Sequence, residues 1–317
     1  MTEGLPNPLP RKPIHPGLQL LILGSMLFIC MIFGTLIGTG IIAAKFGTAI
    51  VDHILSANFT DAHAATALWI LQFASTTFPI LITPIFFSYL IVQQPDEYLK
   101  HHFHFPLVLI LVVIATMLLA MPLIEFLGNF NAKMVLPDSM KGLEDWIKKS
   151  EKEADELTVF LMHMPSLSGM IFNLLFIGLL TAIVEEILFR GCMQTIFIHW
   201  TKNAHVAVWA TAILFSAFHM EFYGFLPRLL LGVLFGYFVV WSGSVWPAII
   251  GHFINNGFDV VWQYLYQAKI VHIDPNVPQM FNNMGYWISF VAILICLTIF
   301  WYISKKWHSM HYGEELG

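Results

Sequence analysis

Asn173-Leu-Leu-Phe-Ile-Gly-Leu-Leu-Thr-Ala-Ile-Val-Glu-Glu-Ile-Leu-Phe-Arg190 reads as membrane-buried helix with two adjacent carboxylates, Glu185 and Glu186, set into it. One charge near the middle of a bilayer costs roughly 2.5–3.5 kcal/mol on insertion scales. Two side by side are tolerated where the chain gains a partner, a water-filled cavity or a reaction. Glu186 and Arg190 are four apart and share a helix face, so they can pair. Glu185 is rotated about 100° away and faces elsewhere. The spacing predicts one carboxylate neutralised within its own helix and one left available.

The rest of the chain is equally apolar. Of 317 residues, 57% are hydrophobic and 11% charged, with a mean hydropathy of +0.72; soluble domains carry about 25% charged residues. This composition specifies an integral membrane protein. No basic stripe is present, which argues against a nucleic-acid partner. Cys30, Cys192 and Cys296 are far apart and sit in or beside apolar segments, as small core residues do.

Apolar stretches near the length that spans about 30 Å of hydrocarbon occur at about 18–44, 66–92, 107–128, 167–189, 205–220, 227–243, 245–266 and 286–304. The expected fold is an all-α polytopic membrane helix bundle of about eight transmembrane helices. The first run is too long for a signal-peptide core and reads as a retained anchor. Gly34, Gly38 and Gly40 include a small-xxx-small pattern suited to close helix packing. Pro79 and Pro84 predict a kink in the second helix. Residues 139–164 place Leu143, Trp146, Ile147, Ala154, Leu157 and Leu161 at helical spacing opposite Lys141, Glu144, Lys148, Lys149, Glu151, Lys152 and Glu153. That pattern predicts an amphipathic helix in the membrane interface.

The chain divides into a polar Pro-rich tail (1–17), N-terminal transmembrane helices (18–128), a loop with the amphipathic helix (129–166), a core (167–266), and a closing loop, last helix and tail (267–317). Arg11 and Lys12 before the first helix, and Lys305 and Lys306 after the last, predict cytoplasmic termini. The lysines of 129–166 depart from that rule. The short N-terminus suggests a bacterial inner membrane.

Polar residues inside the apolar segments concentrate in the C-terminal half. Phe215-Ser-Ala-Phe-His219 ends the fifth segment, and His252-Phe-Ile-Asn-Asn256 lies in the seventh. His252 and Asn256 project from one face, and Asn255 and Asp259 extend the polar stripe. Such a stripe must face protein or water. A carboxylate, two imidazoles and an amide on separate segments are the parts of a hydrolytic site. Glu185 can act as general base toward water, with a histidine sharing that role or positioning the water. A His and an Asn can donate to an oxyanion. The set Glu185, His219 and His252 can equally bind a divalent metal such as zinc. The cofactor is either none or such an ion. No His-Glu-x-x-His, Gly-x-Ser-x-Gly or aspartyl pair is present, so the chemistry points to attack by an activated water.

Glu185-Glu186…Arg190, Phe215…His219 and His252…Asn256 resemble, in that order, the three motifs of the CPBP family of intramembrane proteases. That family includes the CAAX prenyl endopeptidases and proteins linked to bacteriocin self-immunity. The resemblance covers about 167–266, and Phe189-Arg190-Gly191 and Gly232-x-x-x-Gly236 fit the family's style. It implies that Glu185 and His219 activate the attacking water, and that His252 and Asn256 stabilise the oxyanion. Glu186 and Arg190 would orient the site, and Phe215 would pack beside His219. A metal has been argued both ways in the family, with glutamate catalysis favoured for its CAAX members.

The expected function is an integral-membrane endopeptidase acting on a peptide or membrane protein at or within the lipid bilayer. A non-catalytic scaffold or immunity protein of the same fold is the alternative, and a proton- or cation-coupled transporter is a weaker one. No inverted repeat supports the transporter. Next to His219, Glu221 and Arg228 can pair across a tight connection marked by Gly224 and Pro227. Alternatively, Arg228 can contact a substrate carboxylate.

Overall fold

The computed structural model describes residues 14–56, 58–274 and 281–312. Most of the Pro-rich tail, with Arg11 and Lys12, lies outside them. Among the described residues the protein is all helix and turn, with no strand. Eleven helices follow in order. They are α1 (Pro16–Phe46), α2 (Thr48–Leu55), α3 (Ala64–Ile91), α4 (Pro95–Leu99), α5 (Val108–Asn131) and α6 (Lys141–Leu161). The rest are α7 (Leu167–Thr201), α8 (Ala204–Phe218), α9 (Phe225–Ser242), α10 (Trp246–Gln267) and α11 (Asn283–Tyr312).

Every apolar stretch expected from the sequence is helical, yet six helices rather than eight are long and apolar enough to cross a membrane by length and composition: α1, α3, α5, α7, α9 and α11. The fifth and seventh expected spans, α8 and α10, are the two that differ. With 15 residues, α8 measures roughly 22 Å. In α10 the length suffices, but His252, Asn255, Asn256 and Asp259 lower its hydropathy. The fourth span is longer than expected, reaching Thr201. Wide π-type turns occupy 174–180 and 187–193 of α7, on either side of the carboxylates; such turns recur at functional sites. In α3 similar turns flank the helical stretch that contains Pro79 and Pro84.

Two ends of the bundle can be told apart by their contacts. At one end, Tyr98 Oη donates to Gln19 Oε1 (2.6 Å), Val245 N donates to the Lys100 carbonyl (3.0 Å), and Gly243 lies beside His308. At the other, Asn131 Nδ2 donates to the Phe222 carbonyl (2.8 Å) and Gln267 Nε2 to that of Met162 (2.8 Å). The described starts and ends of the chain therefore share one end. Lys100, Lys202, Lys305 and Lys306 sit there; Lys45, Lys133, Lys269 and the lysines of α6 sit at the other.

The small-residue pattern of α1 is used in part. A Cβ on Gly34 would lie 1.9 Å from the Ala74 carbonyl oxygen, and one on Gly38 3.0 Å from Ala74 Cβ, whereas Gly40 meets nothing within 4 Å. Gly34 and Gly38 thus seat α1 against α3. The amphipathic helix forms as expected at α6. It contains no fully buried residue, but Leu157 and Leu161 turn toward a cavity inside the bundle.

Candidate active site

The site is assembled by two hairpins. The first joins α7 to α8 through Lys202, which takes the left-handed conformation (φ 54°) that ends α7. Asn203 then caps α8, its side chain accepting from the backbone of His205 and Val206. Glu185 lies sixteen residues before Thr201, and His219 fifteen after Ala204. Running down one helix and back up the next brings both side chains to the same level. The second hairpin joins α9 to α10 through Gly243 (φ 72°). It places Phe235 face to face with His252, ring centroids 5.3 Å apart and 17° from parallel.

The two glutamates have separate fates. Glu186 and Arg190 are both fully buried and bonded at 2.8 Å, Nη1 to Oε1. Arg190 Nη2 also donates to the Gly232 carbonyl (3.2 Å), and the guanidinium lies over the rings of Phe215 (4.2 Å) and Phe235 (5.4 Å). One turn on, Gln194 Nε2 donates to the Gly236 carbonyl (3.1 Å). The two glycines let α8 pack closely on α9, since a Cβ on Gly232 would lie 2.9 Å from that of Ala212. Their carbonyls simultaneously receive two side chains of α7. Glu186 Oε1 accepts a second bond from His252 Nδ1 at 2.8 Å. The buried ion pair therefore also holds an imidazole on another helix.

Glu185 points instead into a cavity of about 450 Å³ lined by residues of α3, α6, α7, α8, α9 and α10. Its Oε2 is buried with no hydrogen-bond partner among the described residues. Two imidazole nitrogens approach that oxygen, His219 Nε2 at 4.0 Å and His252 Nε2 at 3.9 Å. The other nitrogen of each ring is committed. His219 Nδ1 faces the Phe215 carbonyl at 2.9 Å, which can only accept, so Nδ1 carries the proton. His252 Nδ1 faces a carboxylate and does the same. In the neutral rings both Nε2 lone pairs are left for the cavity.

Asn256 also lines the cavity, with Nδ2 donating to the Ile177 carbonyl (3.3 Å) and Oδ1 accepting from Asn255 (3.2 Å). Its second amide hydrogen is available. All six residues singled out in the sequence, Glu185, Glu186, Arg190, His219, His252 and Asn256, therefore meet in one place. The sequence reading assigned no part to Phe235, to the Gly232 carbonyl or to Asn255 as the partner of Asn256. A lone aromatic at helical spacing and a backbone oxygen carry no motif that could have flagged them.

At the cavity mouth the structure makes the Glu221–Arg228 pair. Glu151 of α6 accepts from the backbone N–H of Phe222 and Tyr223, the latter at 3.2 Å. The amphipathic helix is thereby tied to the connection that carries His219. Asp259 lines the cavity three residues, just under one turn, beyond Asn256.

The donor set Glu185, His219 and His252 matches zinc in ligand type. Its spacing as it stands is wider than a tetrahedral zinc site needs. Bonds of about 2.1 Å across a 4.0 Å separation subtend roughly 145°, whereas tetrahedral zinc requires about 109°. A water hydrogen-bonded at about 2.8 Å to the same atoms subtends about 90°. As they stand, the three groups fit a water.

Residues 167–258 match the family described as type II CAAX prenyl endopeptidase Rce1-like. An uncharacterized protein, YpbD, of Bacillus subtilis (strain 168) is 29% identical over 86 residues, 26% of this chain and 41% of the relative. The chain thus covers about two-fifths of the length of that relative. No solved structure matches. Residues 167–258 are matched as an Rce1-like domain of the type II CAAX prenyl endopeptidase, CPBP family, as the three motifs imply.

Proposed function

We propose that this protein is an integral-membrane endopeptidase that hydrolyses a peptide bond of a membrane-associated protein, with Glu185 and His219 activating the water. The observation that carries this reading is the unpartnered Glu185 Oε2, approached by two imidazole nitrogens from α8 and α10. A buried carboxylate with no structural partner is costly unless it is used.

Water lies between Glu185 Oε2 and His219 Nε2, and Glu185 takes its proton as the oxygen attacks the scissile carbonyl carbon. The oxyanion that forms accepts from His252 and from the free amide hydrogen of Asn256. Because His252 Nδ1 is committed to Glu186, it donates from Nε2 only as the imidazolium. Glu185 then passes its proton to the leaving amine nitrogen as the C–N bond breaks, leaving a new carboxyl terminus and a new amine. Glu186 and Arg190 position His252 and take no part in proton transfer.

The intact set of polar groups supports an enzyme over a scaffold of the same fold, which has no need of an unpaired buried carboxylate. The protein acts at the plasma membrane of a bacterium with both termini cytoplasmic, the first helix and its preceding Arg11 and Lys12 setting the orientation. Lysines occupy both ends of the bundle, so labelling Lys202→Cys and Lys269→Cys in intact cells decides it: reagent reaching position 269 alone supports this orientation.

Purified protein in liposomes, tried on a broad panel of membrane-associated peptides, tests the activity. Wild type should cleave peptides that Glu185→Ala and His219→Ala leave intact. A wild type indistinguishable from both variants would sink the enzyme reading.

A further inference from the structure

At the end of the bundle away from the cavity, α4 carries Asp96 and the segment after it carries His101 and His102, and the donor atoms of the three all lie within 4.8 Å of one another. Asp96 Oδ1 and His102 Nε2 are 3.3 Å apart, which is the edge of a tetrahedron with metal–ligand bonds of about 2.0–2.1 Å. The rings of His101 and His102 stand beside each other, centroids 4.6 Å apart. All three side chains are exposed, leaving a fourth position open.

The backbone here is fixed before any ion arrives. Three consecutive carbonyls, those of Lys100, His101 and His102, accept from Val245 N (3.0 Å), Trp246 Nε1 (2.8 Å) and Ser244 Oγ (2.7 Å). The Phe103 ring packs on Trp246 at 5.5 Å. Lys100 holds a left-handed conformation (φ 47°) that turns the chain between Asp96 and the histidines. A preorganised backbone lowers the ordering cost that otherwise weakens a surface site.

From this geometry we propose a second, non-catalytic site for a divalent transition-metal ion, formed by Asp96, His101 and His102. Two imidazoles with one carboxylate select zinc, nickel or copper over calcium or magnesium, which prefer all-oxygen shells. The same three carbonyls grip the turn that starts α10, six residues before His252. An ion at this site therefore rigidifies the end of the bundle from which α10 is hung.

The test is zinc titration of tag-free, full-length protein in detergent by calorimetry, with calcium as a control. The expected result is one zinc ion per chain, no calcium, and a melting temperature that rises with zinc. His102→Ala and Asp96→Ala should abolish both effects while matching the wild-type melting temperature in chelator. The double variant Glu185→Gln/His219→Ala should bind zinc as wild type does. No zinc uptake by wild type, or uptake unchanged in His102→Ala and Asp96→Ala, would overturn the proposal. So would zinc uptake lost in Glu185→Gln/His219→Ala, which would place the ion at the cavity.

Discussion

His252 Nδ1 donates to Glu186 Oε1 at 2.8 Å, and this one bond ties the motif on α10 to the motif on α7. Arg190 completes the same carboxylate oxygen. Removing Glu186 strands a guanidinium and an imidazole in the core. Glu186→Ala should therefore destabilise the protein by about 3–5 kcal/mol, read as a lowered unfolding midpoint in detergent. An unchanged midpoint would contradict the positioning role.

Asn256 is held by Ile177 and Asn255, with one amide hydrogen to spare. If that hydrogen meets the oxyanion, Asn256→Ala lowers kcat by about 10²–10³ with KM little changed. A variant that loses affinity while keeping kcat would place Asn256 in substrate binding instead.

The α1–α3 seam makes a contrast between two glycines of one helix. Gly34→Ala puts a methyl into the Ala74 carbonyl and should force the helices apart, lowering thermal stability. Gly40→Ala meets open space and should be neutral or stabilising by up to about 1 kcal/mol through helix propensity. Equal melting temperatures for the two would show that the seam tolerates separation.

On α6, burial and the nearby Glu221 raise the Asp155 carboxyl above its ordinary 3.8. A raised carboxyl is penalised when ionised, so the penalty is full above the folded pKa and vanishes below the unfolded one. Asp155→Asn should raise the melting temperature slightly at neutral pH. The gain should shrink as pH falls into the carboxylate range. A gain that persists in acid would point to a cause other than ionisation.

Much of this site was legible because each motif is local to one helix. The i, i+4 spacing of Glu186 and Arg190 anticipates their ion pair, and the rotation between adjacent residues anticipates that Glu185 faces elsewhere. What joins the motifs is tertiary. Nothing in the spacing says that Glu186 also holds His252, that Phe235 stacks on that ring, or that the Gly232 carbonyl takes Arg190. Helix lengths were harder for a related reason. Gln194, Thr195 and His199 look like the end of a membrane run, yet α7 continues through them because Gln194 and Thr195 are buried against other helices. In α10 the polar stripe that marks the site also removes the hydropathy that marks a span.

The assignment of Glu185 as the catalytic carboxylate and Glu186 as the structural one is tested most directly by comparing Glu185→Gln with wild type in the liposome cleavage assay, alongside their melting temperatures. The expected result is a rate lower by at least about 10² at an unchanged or higher melting temperature, since Glu185 makes no hydrogen bond through its buried Oε2 to the protein. Wild-type cleavage by Glu185→Gln would contradict it.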